Sequence, residues 1–122
     1  FKEASNLEIK YYKQNNQGKM AAINNLVEHV TGQYMIDCDS DDYFADNAFK
    51  FMKERIEKTQ DEKGIYGYCF LKFTTKGESL GKVFTKKRTT LFDLHFKEND
   101  QGERAILFIS NIRKQYCRSI YF

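Results

Sequence analysis

From Leu7 to Phe73 the spacing of apolar residues switches repeatedly between a period of two and one of three to four. That alternation constrains the fold more than any other feature of the chain. Leu7 to Tyr12 (LEIKYY) alternates in character as a half-buried strand does. Asn15-Asn16-Gln17-Gly18 is turn chemistry, because Asn and Gly tolerate left-handed backbone. From Lys19 to Val30, Met20, Ile23, Leu26, Val27 and Val30 fall on one helical face, with Gly32 just beyond as a C-cap glycine. Gln33 to Cys38 (QYMIDC) reads as a short buried strand. A second helix is expected over Ala45 to Lys58, with Ala48, Phe49, Met52 and Ile56 inward and Asp42 or Asp46 capping its start. Ile65 to Phe73 (IYGYCFLKF) is an aromatic-rich strand. Strand, helix, strand, helix, strand implies parallel strands with helical crossovers, and so an α/β domain.

The remainder is less regular. Lys82 to Phe84 predicts a short strand, Leu91 to Phe96 a helical turn, and Arg104 to Ile109 (RAILFI) an apolar strand. Ser110 is placed to cap a last short helix holding Ile112 and Tyr116. No repeat, Pro/Gly linker or low-complexity tract divides the 122 residues, which is the size of one domain or part of one.

Composition excludes several classes. Apolar residues make up 41% of the chain, enough for a packed core. A net charge of +3, with both signs mixed along the chain, does not indicate a nucleic-acid binder. Cys38, Cys69 and Cys117 are too scattered for a disulfide framework or a zinc cluster and fit a reducing cytoplasm. No apolar run approaches the roughly 20 residues that span a bilayer, so any membrane contact is expected to be peripheral, at the inner face.

The chemistry concentrates in Asp37, Asp39, Asp41 and Asp42. If extended geometry persists there, Asp37, Asp39 and Asp41 point to one side. Carboxylates packed this closely repel one another and need a cation or donors beside them. Mg²⁺ takes one or two carboxylates plus substrate phosphates, so an acidic loop at a strand's carboxyl end suits a metal-bound diphosphate. The same string also reads as a loop with a helix cap. An EF-hand fits poorly: counting from Asp37, the glycine position holds Asp42 and the terminal glutamate position holds Ala48.

Upstream lies a second feature, Gly18-Lys19-Met20-Ala21-Ala22-Ile23-Asn24, then Thr31-Gly32-Gln33-Tyr34, before Asp39-Ser40-Asp41-Asp42. Order and spacing resemble family 2 glycosyltransferases of bacterial surface-polysaccharide pathways. Thr90 to Leu94 and Gly102-Glu103-Arg104-Ala105 also look like that group. The resemblance implies a GT-A fold, Rossmann-like, with a mostly parallel sheet flanked by helices. It implies an inverting transfer of sugar from a nucleotide-diphosphate donor to an acceptor hydroxyl on a saccharide or a lipid-linked sugar. It further implies Mn²⁺ or Mg²⁺ at Asp41, with Asp39 on the ribose or the metal, and Lys19 and Asn24 near the nucleotide. Glu103 is the candidate general base.

Departures from the pattern stand beside the matches. Many members carry Arg where this chain has Ile23, and an apolar residue where it has Asp37. The family's first strands, which bind base and ribose, have no counterpart before Leu7. Residues 1–122 are therefore expected to be a partial catalytic domain, weak or inactive by itself. His29 is expected to face solvent, Cys38 to be buried, and Lys86-Lys87-Arg88 to form a solvated face that could meet phosphates or anionic lipid. Tyr66, Tyr68 and His95 are weaker candidates for the acceptor or phosphate side. The rival reading is a non-catalytic transferase-like binding module. A nucleotidyltransferase would carry a Gly-rich basic loop near its start, which this sequence lacks.

Overall fold

A computed structural model describes residues 7–84, 86–90, 93 and 102–111. Five elements follow in chain order: α1 (Lys19–Glu28), β1 (Tyr34–Ile36), α2 (Ala48–Lys58), β2 (Gly67–Leu71) and β3 (Arg104–Ile109). All five lie inside segments whose apolar spacing predicts them. The predicted strand at Leu7 to Tyr12 does not form. Its aromatic end serves α1 instead: Tyr12 stacks on His29 with ring centroids 4.1 Å apart.

The sheet corrects the parallel expectation. Its order is β1-β3-β2, and β3 runs antiparallel to both neighbours. The expectation assumed that strands joined by a helical crossover lie side by side. Here β1 and β2, joined through α2, do share a direction, but β3 enters last and takes the place between them. This is a split βαβ arrangement. RAILFI suits a strand covered on both faces, because consecutive residues point to opposite faces of the sheet. Leu107 and Phe108 are both buried there. Burying each contributes roughly 1.5–3 kcal/mol.

The helices cover less than their spacing suggests. On α1, Val27 is fully buried, but Met20 and Leu26 are exposed. On α2, Met52 is buried, whereas Phe49 is exposed and rests on Phe44, centroids 4.7 Å apart. Helix α2 is tied to β2 by Phe51 against Phe70 and by the Thr59 hydroxyl 2.9 Å from the Tyr68 hydroxyl. Tyr68 and Phe70, two apart on a strand, therefore present the same face to α2.

Helix boundaries also depart from expectation. The cap of α2 is Asn47, with no side-chain capping bond, and neither Asp42 nor Asp46 fills that place. Helix α1 ends at His29, before Gly32. Its start depends on Gly18, whose φ of 88° and ψ of 164° belong to a region essentially reserved for glycine. The Gly18 N–H donates to Asn16 Oδ1 at 3.1 Å, and its carbonyl accepts the first helical bond from Ala22. Lys82 to Phe84 forms no strand. Arg104 takes the place of ladder bonds, donating to the Lys82 carbonyl at 2.6 Å and lying over the Phe84 ring. The predicted turn at Leu91 to Phe96 lies, apart from Asp93, outside the described residues, as does the last helix beyond Asn111.

One glycine in the sheet is required by close approach. A Cβ at Gly67 would sit 2.9 Å from the Leu107 carbonyl oxygen, and a backbone atom cannot swing aside. Gly67→Ala is expected to destabilise the protein by about 1–3 kcal/mol through overpacking at the central strand. A lowered midpoint in urea unfolding checks this; an unchanged midpoint would show that the β2–β3 spacing is slack.

Candidate active site

The strand directions decide what meets what. Because β1 and β2 share a direction and β3 opposes both, the carboxyl ends of β1 and β2 and the amino end of β3 gather at one edge of the sheet. The acidic segment leaves β1 at this edge, Lys72 leaves β2, and Glu103 precedes β3. Three stretches far apart in sequence are thus brought to one place.

The acidic segment is a turn rather than a strand extension. β1 stops at Ile36, and the Asp42 N–H donates to the Asp39 carbonyl at 3.1 Å. The turn at Ser40 and Asp41 interrupts the extended run that would continue the alternation through Asp41. Cys38 is exposed, not buried, and its thiol donates to the Asp42 carbonyl at 3.7 Å. The strand ends too early to cover it.

Two of the turn's carboxylates have lysine partners. Lys19, the first residue of α1, places Nζ 2.7 Å from both Asp39 oxygens. The hydrogen bond from Lys19 holds the Asp39 carboxyl below its ordinary range, and the same bond raises Lys19. Lys72 donates to Asp42 Oδ2 at 2.5 Å and to Glu103 Oε2 at 2.8 Å. Those two bonds, Asp42 first, push the Lys72 ammonium further above its ordinary value, despite the opposing effect of burial. Among the described residues no hydrogen bond or ion pair engages the exposed Asp41 carboxylate.

Sequence reasoning missed Lys72. The signal was present as the one charged residue in Ile65 to Phe73, but its meaning depends on strand pairing. Of the predicted site residues, Lys19 and Asp39 come into contact, and Glu103 reaches the acidic turn through Lys72. Asn24 is exposed on α1; five residues from Lys19, it lies about 140° around the helix from it. His29 is exposed, as expected. Tyr66 faces Phe108 at 6.4 Å between centroids, and Tyr68 is occupied by Thr59. Arg88 donates to the Lys63 carbonyl at 2.8 Å and pairs with Glu62. His95 and Cys117 lie outside the described residues.

No group of three or more His, Cys, Asp or Glu side chains among the described residues is arranged to hold a metal by itself. The donors present are hard oxygens, and two carboxylates, Asp41 in the turn and Asp37 before it, take no hydrogen bond or ion pair among the described residues. That set fits a Mg²⁺- or Mn²⁺-like ion that completes its shell with phosphate oxygens and water. It does not fit a closed structural site. A cation at Asp39 would have to compete with Lys19.

The sequence model of Glycosyl transferase family 2 matches residues 1–121 of the chain. Searches of curated proteins and of solved structures found no significant match.

Proposed function

The chain belongs to glycosyl transferase family 2, and from that premise we propose that it moves a sugar from a nucleotide-diphosphate donor to an acceptor hydroxyl. We place the reaction in the inverting class and in the building of a cell-surface polysaccharide, on a saccharide or lipid-linked acceptor at the cytoplasmic face of the membrane. Membership implies the GT-A fold and the binding of a nucleotide-sugar and an acceptor. The observation that carries the reading is the uncommitted Asp41 carboxylate, in a turn at the carboxyl end of β1 with Glu103 at the same sheet edge.

Each residue has a separate task in this reading. Asp41 would hold the divalent ion, Mn²⁺ or Mg²⁺. When bound, the ion supplies Lewis-acid neutralisation of charge on the departing diphosphate. Asp39 is oriented by Lys19 and faces the ribose or the ion. Lys19, at the amino end of α1, adds positive charge where a diphosphate benefits from it. Asn24 is assigned to the nucleotide side, further along the same helix. Glu103 takes the proton from the acceptor hydroxyl. The acceptor oxygen then bonds to the anomeric carbon, and the bond to the diphosphate breaks with its electron pair.

Thermal unfolding with nucleoside diphosphates tests the proposal. With Mn²⁺ and ligand at a hundredfold excess over Kd, stability is expected to rise by about 2.7 kcal/mol. EDTA is expected to abolish the rise. An equal rise with EDTA present would count against a metal-bridged diphosphate.

A further inference from the structure

We propose that Lys72 is a positioning residue that joins the donor and acceptor halves of the site by fastening the Glu103 carboxylate to Asp42 of the acidic turn through one ammonium group. The inference rests on the transferase reading above and adds a residue to it.

Three observations carry it. Lys72 Nζ bridges the two carboxylates, 2.5 Å from Asp42 Oδ2 and 2.8 Å from Glu103 Oε2. Its side chain is only 20% exposed, against 64% for Lys19, so it is far less able to wander. Its backbone is fixed as well: the Leu80 N–H donates to the Lys72 carbonyl at 2.9 Å, and the Glu103 N–H donates to the Leu80 carbonyl at 3.2 Å. One residue, Leu80, therefore sets the backbones of Lys72 and Glu103 relative to each other.

The consequence is specific at the level of atoms. Lys72 occupies Glu103 Oε2 and leaves Oε1 to accept the proton of a hydroxyl. Glu103 is itself 64% exposed, and without Lys72 its carboxylate would sample many rotamers. Asp42, held by the same ammonium, is adjacent to Asp41 in the turn. Lys72 thus acts on the reaction through Glu103, without touching either substrate.

The test is a double-mutant cycle in the full-length chain with Lys72→Met, Glu103→Gln and the pair, plus Lys72→Arg. Lys72→Met is expected to lower kcat for sugar transfer by about a hundredfold, the scale of a misplaced reacting group. KM for the donor and Mn²⁺-dependent nucleoside-diphosphate binding, measured by calorimetry, are expected to stay within about twofold. In the Glu103→Gln background, Lys72→Met is expected to change kcat by no more than about twofold. Lys72→Arg, which keeps a cation between the carboxylates, is expected to recover part of the loss. If Lys72→Met does not fold, Lys72→Gln enters the cycle in its place. The same loss of kcat with and without the Glu103 carboxylate overturns the proposal, as does a parallel loss of donor binding. A wild-type chain that turns over no nucleotide-sugar overturns the transferase reading and this proposal together, whereas an active wild type with additive variants overturns this proposal alone.

Discussion

Asp41→Ala is expected to abolish Mn²⁺-dependent nucleoside-diphosphate binding and to lower sugar transfer by about a thousandfold or more. The magnitude follows from asking one ion to stabilise several kcal/mol of developing charge, at about 1.4 kcal/mol for each factor of ten. Within the turn the expectation falls on Asp41 because Asp39 and Asp42 are paired; Asp37, also exposed, precedes the turn. Asp39 is held by Lys19 and Asp42 by Lys72, so neither can turn to a cation without releasing a lysine. Asp39→Ala is therefore expected to weaken donor binding less than Asp41→Ala. Asp41 is exposed and engages no described residue, so its removal should change stability by no more than about 0.5 kcal/mol. Calorimetric titration with and without EDTA, beside unfolding curves, separates the two effects. An Asp41→Ala protein that still binds nucleotide only in the presence of Mn²⁺ would move the ion to another ligand.

How far the sequence could be read depended on whether the information was local. The α1, α2, β2 and β3 segments announce themselves through spacing within a dozen residues, and RAILFI is a strand in the structure with the bounds its apolar run suggests. The acidic residues were equally visible, because four carboxylates in six positions need no partner to be noticed. What spacing could not supply is which strand lies beside which. Nothing in Arg104 to Ile109 says that it enters between β1 and β2 rather than beside one of them. That one fact turns the expected parallel neighbours into a split pair. It also carries Glu103 to the acidic turn.

Lys72 shows the same limit in a single residue. A lysine in an aromatic strand reads as a solvated end until the pairing of Leu71 with Arg104 is known. The burial errors have a related cause. Met20, Leu26 and Phe49 have the right spacing, but a helical face is buried only where another element covers it. Cys38 is exposed because β1 ends at Ile36, two residues sooner than its apolar neighbours suggest.

Glu103→Gln should separate chemistry from architecture at this site. The amide is the same size and can still accept the Lys72 hydrogen bond through its oxygen, but it cannot take a proton from a hydroxyl. Loss of a general base costs typically about 10²–10⁴ in rate, and that is the expected fall in kcat. Donor binding and the need for Mn²⁺ are expected to be retained, because Asp41 and Lys19 are untouched. Glu103 is exposed enough for the exchange to leave folding intact. Steady-state transfer assays beside calorimetric donor binding read both quantities on one preparation. Retained transfer would place the base elsewhere and leave Glu103 as the outer member of a salt bridge. Loss of transfer together with donor binding would mean that the Asp42–Lys72–Glu103 bridge shapes the turn that holds the ion. The first result would strip Glu103 of its catalytic part. The second would make the bridge part of the metal site rather than the link between the two substrates.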